Sequence, residues 1–181
     1  VHNLISLGLV PGTLEYSYIN IGLFKSTGMR GDISFNTANI NALLGWSYIG
    51  RYNDISEFSA IEPFSFSPEV RSQFTYSMPT LNAKIAVFWK YTGETPSYNI
   101  DADDEIQLGF VEDYHTLDMT ITKSFDKKGV SWSFGGKNLM NVQNVGVVGG
   151  ASGGGAHSSL GNAIAMNWGR SIFMSINYNL K

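Results

Sequence analysis

Cysteine, charge and long apolar runs are what this sequence lacks. None of its 181 residues is cysteine, which excludes a disulfide scaffold and a thiolate metal site. Charged residues make up only 15% and the net charge is −3, so nucleic acid is not an expected partner. No apolar run reaches about 18 residues, which excludes a transmembrane helix.

Aromatic residues and glycine are what the sequence has in quantity. Aromatics account for 13%, and 20 Gly stand against five Pro. This composition is too aromatic for a disordered chain and too rich in turn residues for a helix bundle. A β protein whose polar and apolar positions alternate fits both observations, and a transmembrane β-barrel is one such protein.

The clearest alternation lies in the last stretch, residues 168–181. Its apolar positions fall on one face and its Ser and Asn positions on the other, with Phe173 as the exception. A period of two over this length predicts a β-strand. Trp168 and Tyr178 close the apolar face ten residues apart, which for a tilted strand is about 25 Å along the barrel axis, the height of a lipid-facing band. One face is therefore expected to meet lipid and the other an aqueous lumen.

The same alternation predicts eight antiparallel strands and places Lys84 and Lys90 on the polar face. Short connections at 37–41, 78–80 and 126–129 alternate with long ones at 53–66, 92–112 and 139–167, as in outer-membrane barrels. The turn predicted at 25–28 does not fit this alternation of lengths. Residues 3–10 alternate weakly and suggest part of a further strand. The predicted strands are 14–24, 29–36, 42–52, 69–78, 81–91, 114–125, 130–138 and 168–181.

Several segments resemble TonB-dependent outer-membrane receptors. Gly135-Gly-Lys-Asn138-Leu-Met-Asn141 is similar to the segment that follows their penultimate strand, and Gly169-Arg170 through Tyr178 is similar to their closing strand. Asn20-Ile-Gly22, followed by 28–32, resembles a hairpin of the same family. Tyr91-Thr-Gly93 and Gly155-Ala-His157 are similar to members from the Bacteroidetes in particular. The ending Leu180-Lys181 departs from the aromatic end usual in the family.

This resemblance implies an antiparallel transmembrane barrel of 22 strands, closed by an N-terminal plug, in the bacterial outer membrane. Such receptors import iron chelates, haem, cobalamin or glycans by coupling to TonB. The whole chain, residues 1–181, would supply the last eight strands as one barrel segment without the plug. Its expected partners are outer-membrane lipid, the rest of the barrel with its plug, TonB through the missing N-terminal part, and an imported ligand.

His157 is the one candidate ligand-binding residue. It lies in a Gly-rich stretch, 146–161, where it could bind haem, a metal or another ligand, or simply face solvent. His115 is expected at a membrane interface, and the acidic run 101–105 is expected to be a solvated loop. No catalytic set, cofactor motif or metal-binding spacing is recognisable, so the chain is not expected to be an enzyme.

The alternative is a complete eight-stranded barrel that anchors, adheres or catalyses. The chain opens on Val1 without a signal peptide, which favours part of a longer protein. Small polar residues on the lumen face also favour a wide barrel over a small filled one. Pairing of residues 168–180 with 14–24 would support the small closed barrel.

Overall fold

The computed structural model describes residues 2–9, 16–54, 64–100, 106–125, 129–148 and 163–178. These residues form an all-β protein with one 3-10 turn at Pro79–Leu81. The strands are β1 (His2–Leu9), β2 (Tyr16–Asn36), β3 (Ile40–Asp54), β4 (Ser65–Met78), β5 (Ala83–Thr92), β6 (Thr95–Ile100), β7 (Ile106–Val111), β8 (Tyr114–Phe125), β9 (Val130–Lys137), β10 (Asn144–Val148), β11 (Ala163–Ala165) and β12 (Ser171–Tyr178).

Eight strands lie side by side in the order β1-β2-β3-β4-β5-β8-β9-β12, and we call them the main sheet. Every pairing within it is antiparallel, which confirms the predicted fold class at the level of an antiparallel all-β protein. The remaining strands continue the sheet as β11-β10-β7-β6, which we call the small sheet. Its one link to β1 is a parallel pair, Leu9 with Asn99.

The described strands do not close into a ring. β12 pairs with β9, whereas β2 has β1 and β3 as its neighbours. The pairing between the last and first strands that a small closed barrel requires is therefore not formed within the described residues. β12 and β11 are the two ends of the strand order.

The turn predicted at 25–28 is wrong. β2 runs without interruption through these residues, and Lys25 to Gly28 pair with Tyr52 to Ile49 of β3. Gly28 is needed for close approach, since a Cβ there would lie 2.4 Å from the backbone oxygen of Tyr48. In a sequence, a glycine that lets a neighbouring backbone approach closely cannot be told from a glycine in a turn, which is why a turn was predicted here.

The loops predicted at 92–112 and 139–167 are wrong in part, because each contains strands. β6 and β7 form an antiparallel hairpin within the first, and β10 and β11 pair within the second. These strands have three to six residues, too few for alternation to stand out from the surrounding polar sequence.

The last strand is shorter than predicted. β12 begins at Ser171, and Trp168 lies before it as a fully exposed side chain. The apolar set Ile172, Met174, Ile176 and Tyr178 is exposed at 62 to 68%, as expected for one open face. Residues 179–181 lie outside the described residues.

The main sheet is a single layer without a conventional core. Val145 and Val147 are the only buried hydrophobic side chains among the described residues. Large apolar side chains on β2, β3, β4, β9 and β12 are instead exposed. This exposure is unusual, because monomeric soluble proteins rarely expose large contiguous apolar surface.

Candidate functional site

The main sheet has one apolar and one mostly polar face, and the strand registers define both. Residues directly opposite one another in paired strands share a face. One such row joins Phe35, Ala42, Phe74, Val87 and Met119. The adjacent row joins side chains on the other face, four of them polar: Asn36, Asn41, Thr75, Ala86 and Thr120.

Aromatic side chains gather on the apolar face near the long connections. His115 stacks at 5.6 Å from Trp89 and lies 4.9 Å from Tyr91, measured between ring centroids. Tyr48 stacks on Phe66 at 4.9 Å in the same region. His115 therefore belongs to an aromatic cluster, and its Nδ1 is buried without a hydrogen-bond partner.

A second aromatic group lies near the tight turns, at the other end of the same face. Trp132 and Phe134 stack with ring centroids 6.1 Å apart. Phe125 and Tyr178 both occupy the row of Val130. The apolar face thus has aromatic side chains at both ends, and between them Phe35 and Phe74 lie in a row with aliphatic side chains and Met119.

Lysines lie at both ends of this apolar face and not in its middle. Lys25 has its ammonium 5.7 Å from the Tyr52 ring centroid, near the long connections. Lys123 lies 5.8 Å from the Phe125 ring and donates to the backbone oxygen of Leu81 in the tight turn. Ammonium groups placed in this way can reach water while their carbon chains stay on apolar surface.

The polar face carries charged side chains in two successive rows of that same face. Lys90 forms an ion pair with Glu69 at 2.7 Å, and both side chains are about a third exposed. Arg71 lies across Gly45, where a Cβ would come 2.6 Å from its Nε. Arg30 and Asp32 line the same recess in the sheet. Lys90 therefore lies on the polar face, as predicted, and has a carboxylate partner there.

A turn after β9 brings together the two C-terminal segments that resemble the receptor family. We call residues 138–143 with 169–170 the Asn138 corner. Asn138 has φ 50° and is 7% exposed. Its side chain donates to the oxygen of Val142 at 2.8 Å and accepts from the Val142 amide at 3.0 Å. Its own amide donates to Asp118 Oδ1 at 2.8 Å, so the corner is fastened to β8.

The second segment is tied to this corner through Arg170. The Arg170 amide donates to Asn141 Oδ1 at 3.0 Å, and its Nε donates to the oxygen of Leu139 at 3.1 Å. Gly169 has φ 88°, a value that L side chains rarely adopt. The two segments, some 30 residues apart in sequence, are therefore one structural unit in space.

A groove opens beside the corner, between residues 112–115 and 140–146. It exists because β8 and β9 stop pairing at Met119 and Gly136, whereas β8 itself begins at Tyr114. Glu112 lies at its edge, and its amide donates to the oxygen of Gly146 at 2.9 Å.

The predicted ligand residue His157 lies outside the described residues, as does the acidic run 101–105. His115 is described and lies in the aromatic cluster. Within the described ranges, no three His, Asp or Glu side chains could hold a metal ion together. The described part of the chain has no helix long and apolar enough to cross a membrane.

Sequence reasoning missed the polar ion pair and the Asn138 network as sites. Asn138 had a usable signal, because asparagine is the residue most often found at positive φ after glycine. Its partner Asp118 lies 20 residues away and had no local signal.

Comparison of the chain with protein-family models, with curated protein sequences and with solved structures finds no match. The class that the geometry defines is an antiparallel, single-layer, two-faced β-sheet protein.

Proposed function

We propose that this chain forms part of the wall of an outer-membrane β-barrel receptor of the TonB-dependent kind. The observation that carries the proposal is the continuous exposed apolar face, with aromatic side chains at both ends and a charged polar face behind it. Exposed apolar surface of this kind is favourable against lipid and costly against water. Its polar counterpart suits a water-filled lumen.

The dimensions of the sheet support a membrane span. On β8, His115 and Phe125 mark the two aromatic ends of the apolar face and lie ten residues apart. At about 3.3 Å per residue and a tilt near 40°, that separation is about 25 Å, the height of an outer-membrane apolar band. β2 and β3, with 21 and 15 residues, are far longer than the usual strand of about 5 to 6 residues in a soluble sheet.

The strand order supports a place within a larger barrel. β12 lies at the end of the order with β9 as its partner. In the proposed receptor, further strands of the same barrel cover this edge, because a lipid-exposed open edge leaves backbone groups unpaired. The proposal of 22 strands, a plug and coupling to TonB rests on the sequence resemblance. The imported ligand belongs to the classes given for that family, and the wall itself performs no catalysis.

A lipid-borne quencher tests the membrane placement. In bilayers containing brominated acyl chains, fluorescence of Trp46, Trp89 and Trp132 on the apolar face is expected to fall, whereas that of Trp168 is expected to persist. Single-tryptophan variants separate the four signals. Equal quenching of all four, or none at all, would argue against a lipid-facing sheet.

A further inference from the structure

Four neighbouring strands of the sheet are interrupted side by side. Between β5 and β6 the break is residues 93–94, and between β7 and β8 it is 112–113. Residues 138–143 separate β9 from β10, and 166–170 separate β11 from β12. The small sheet keeps the neighbour order of the main sheet beyond these breaks. We call the four interrupted segments together the break line.

The hydrogen bonds made by residues of the break line differ between the β5–β6 break and the β9–β10 break. Beside β5, the Gly93 amide donates to the oxygen of Pro68 at 2.8 Å, and Ser67 Oγ donates to the oxygen of Glu94 at 2.7 Å. Beside β9, the break is filled by the Asn138 corner: the Asn138 amide donates to the Asp118 carboxylate of β8, and Asn141 Oδ1 accepts from the Arg170 amide before β12.

We propose that the break line is a joint between the two sheets and that the Asn138 corner is the latch that fixes their relative orientation. Where the hydrogen-bond ladder between two strands is continuous, it fixes the direction of each strand along its whole length. Where the ladder is interrupted, it does not fix the orientation of the parts on either side of the break.

Apart from the Leu9–Asn99 pair, the relative orientation of the two sheets depends on the four segments that connect their strands. Asn138 fixes the shape of the segment between β9 and β10 through its two side-chain hydrogen bonds to Val142, and Asn141 ties that segment to Arg170. Mutation can remove these side-chain contacts. This inference rests on strand registers and hydrogen bonds, and it does not depend on the proposed function.

Spin-label distances measure the joint directly. The chain has no cysteine, so Val148→Cys on the small sheet and Gln73→Cys on the main sheet place two labels without background. A second pair, Gln73→Cys with Asn177→Cys, lies wholly within the main sheet. In the otherwise unaltered full-length chain both distance distributions are expected to be narrow.

Asn138→Ala and Asn141→Ala are expected to broaden the distribution between the sheets at least twofold and to leave the one within the main sheet unchanged. Asn82→Ala is the matched control, because Asn82 also has positive φ, 45°, but lies in the tight turn at the opposite end.

If Asn138→Ala broadens both distance distributions, that variant is misfolded, and Asn141→Ala alone then tests the latch. The latch is refuted if Asn141→Ala leaves the distribution between the sheets unchanged, or if Asn82→Ala broadens it equally. A broad distribution in the unaltered chain would also refute it.

Discussion

At the scale of single residues, asparagine and glycine determine the local geometry of this sheet. Asn138 combines a left-handed backbone with a buried side chain that donates to the carbonyl oxygen of Val142 and accepts from its amide. Phe173, the exception in the alternation of β12, lies over Gly135, where a Cβ would come 2.5 Å from its ring. Because Gly135 has no side chain, the Phe173 ring of the neighbouring strand has room to lie over it.

Asn138→Ala is expected to lower the free energy of unfolding by about 2 to 4 kcal/mol. It removes two side-chain hydrogen bonds, worth about 1 kcal/mol each, and adds strain at positive φ of about 1 kcal/mol. Asn138→Gly relieves the strain and is expected to restore about 1 kcal/mol of that loss. Urea unfolding of the three chains, followed by tryptophan fluorescence, measures the differences. Equal stability of the Ala and Gly variants would contradict strain at this position.

Gly28→Ala is expected to lower the free energy of unfolding more than Gly50→Ala, although the two glycines lie in adjacent rows of β2 and β3. At Gly28 the nearest atoms belong to the backbone of Tyr48 and Ile49, which cannot move without breaking the ladder. At Gly50 they belong to the Phe66 ring, which can turn aside. We expect Gly28→Ala to lower the free energy of unfolding by about 1 to 3 kcal/mol. The same unfolding measurement checks this, and a larger loss at Gly50 would contradict the close approach.

At the scale of elements, β2 is the strand that sequence reasoning divided in two. Its continuous pairing with β3 predicts that the amide hydrogens of residues 25–28 that face β3 exchange as slowly as those of 31–34. Amide hydrogen exchange resolved by residue measures this. Fast exchange confined to 25–28 would restore the turn that the sequence suggested.

Alternation predicted the long strands whose two faces differ, and it failed for strands too short for a period of two to stand out. The prediction for β8 has the same bounds as the strand, and those for β4, β5 and β9 overlap most of theirs. β6, β7, β10 and β11 are short, and their existence depends on neighbours brought together by the tertiary fold. The Asn138 corner could be predicted only as a resemblance, because the bonds that tie it to β8 and to Arg170 join residues 20 to 31 positions apart.

At the scale of the whole molecule, the two faces of the main sheet are expected to differ in access to water in a membrane but not in solution. Both faces of the main sheet are exposed in the isolated chain: Phe74 is 41% exposed and the neighbouring Gln73 is exposed as well. In water the two positions would therefore react alike. In a membrane only one of them would meet water, because adjacent residues of a strand point to opposite faces.

Cysteine labelling in a bilayer tests this asymmetry most directly. Phe74→Cys and Gln73→Cys are made separately in the cysteine-free chain, and each is treated with a charged, membrane-impermeant maleimide after reconstitution in lipid vesicles and again after solubilisation in urea. We predict that Gln73→Cys reacts in both conditions, whereas Phe74→Cys is protected at least tenfold in lipid and reacts fully in urea. Equal labelling of the two cysteines in lipid would contradict a sheet with one face in the membrane.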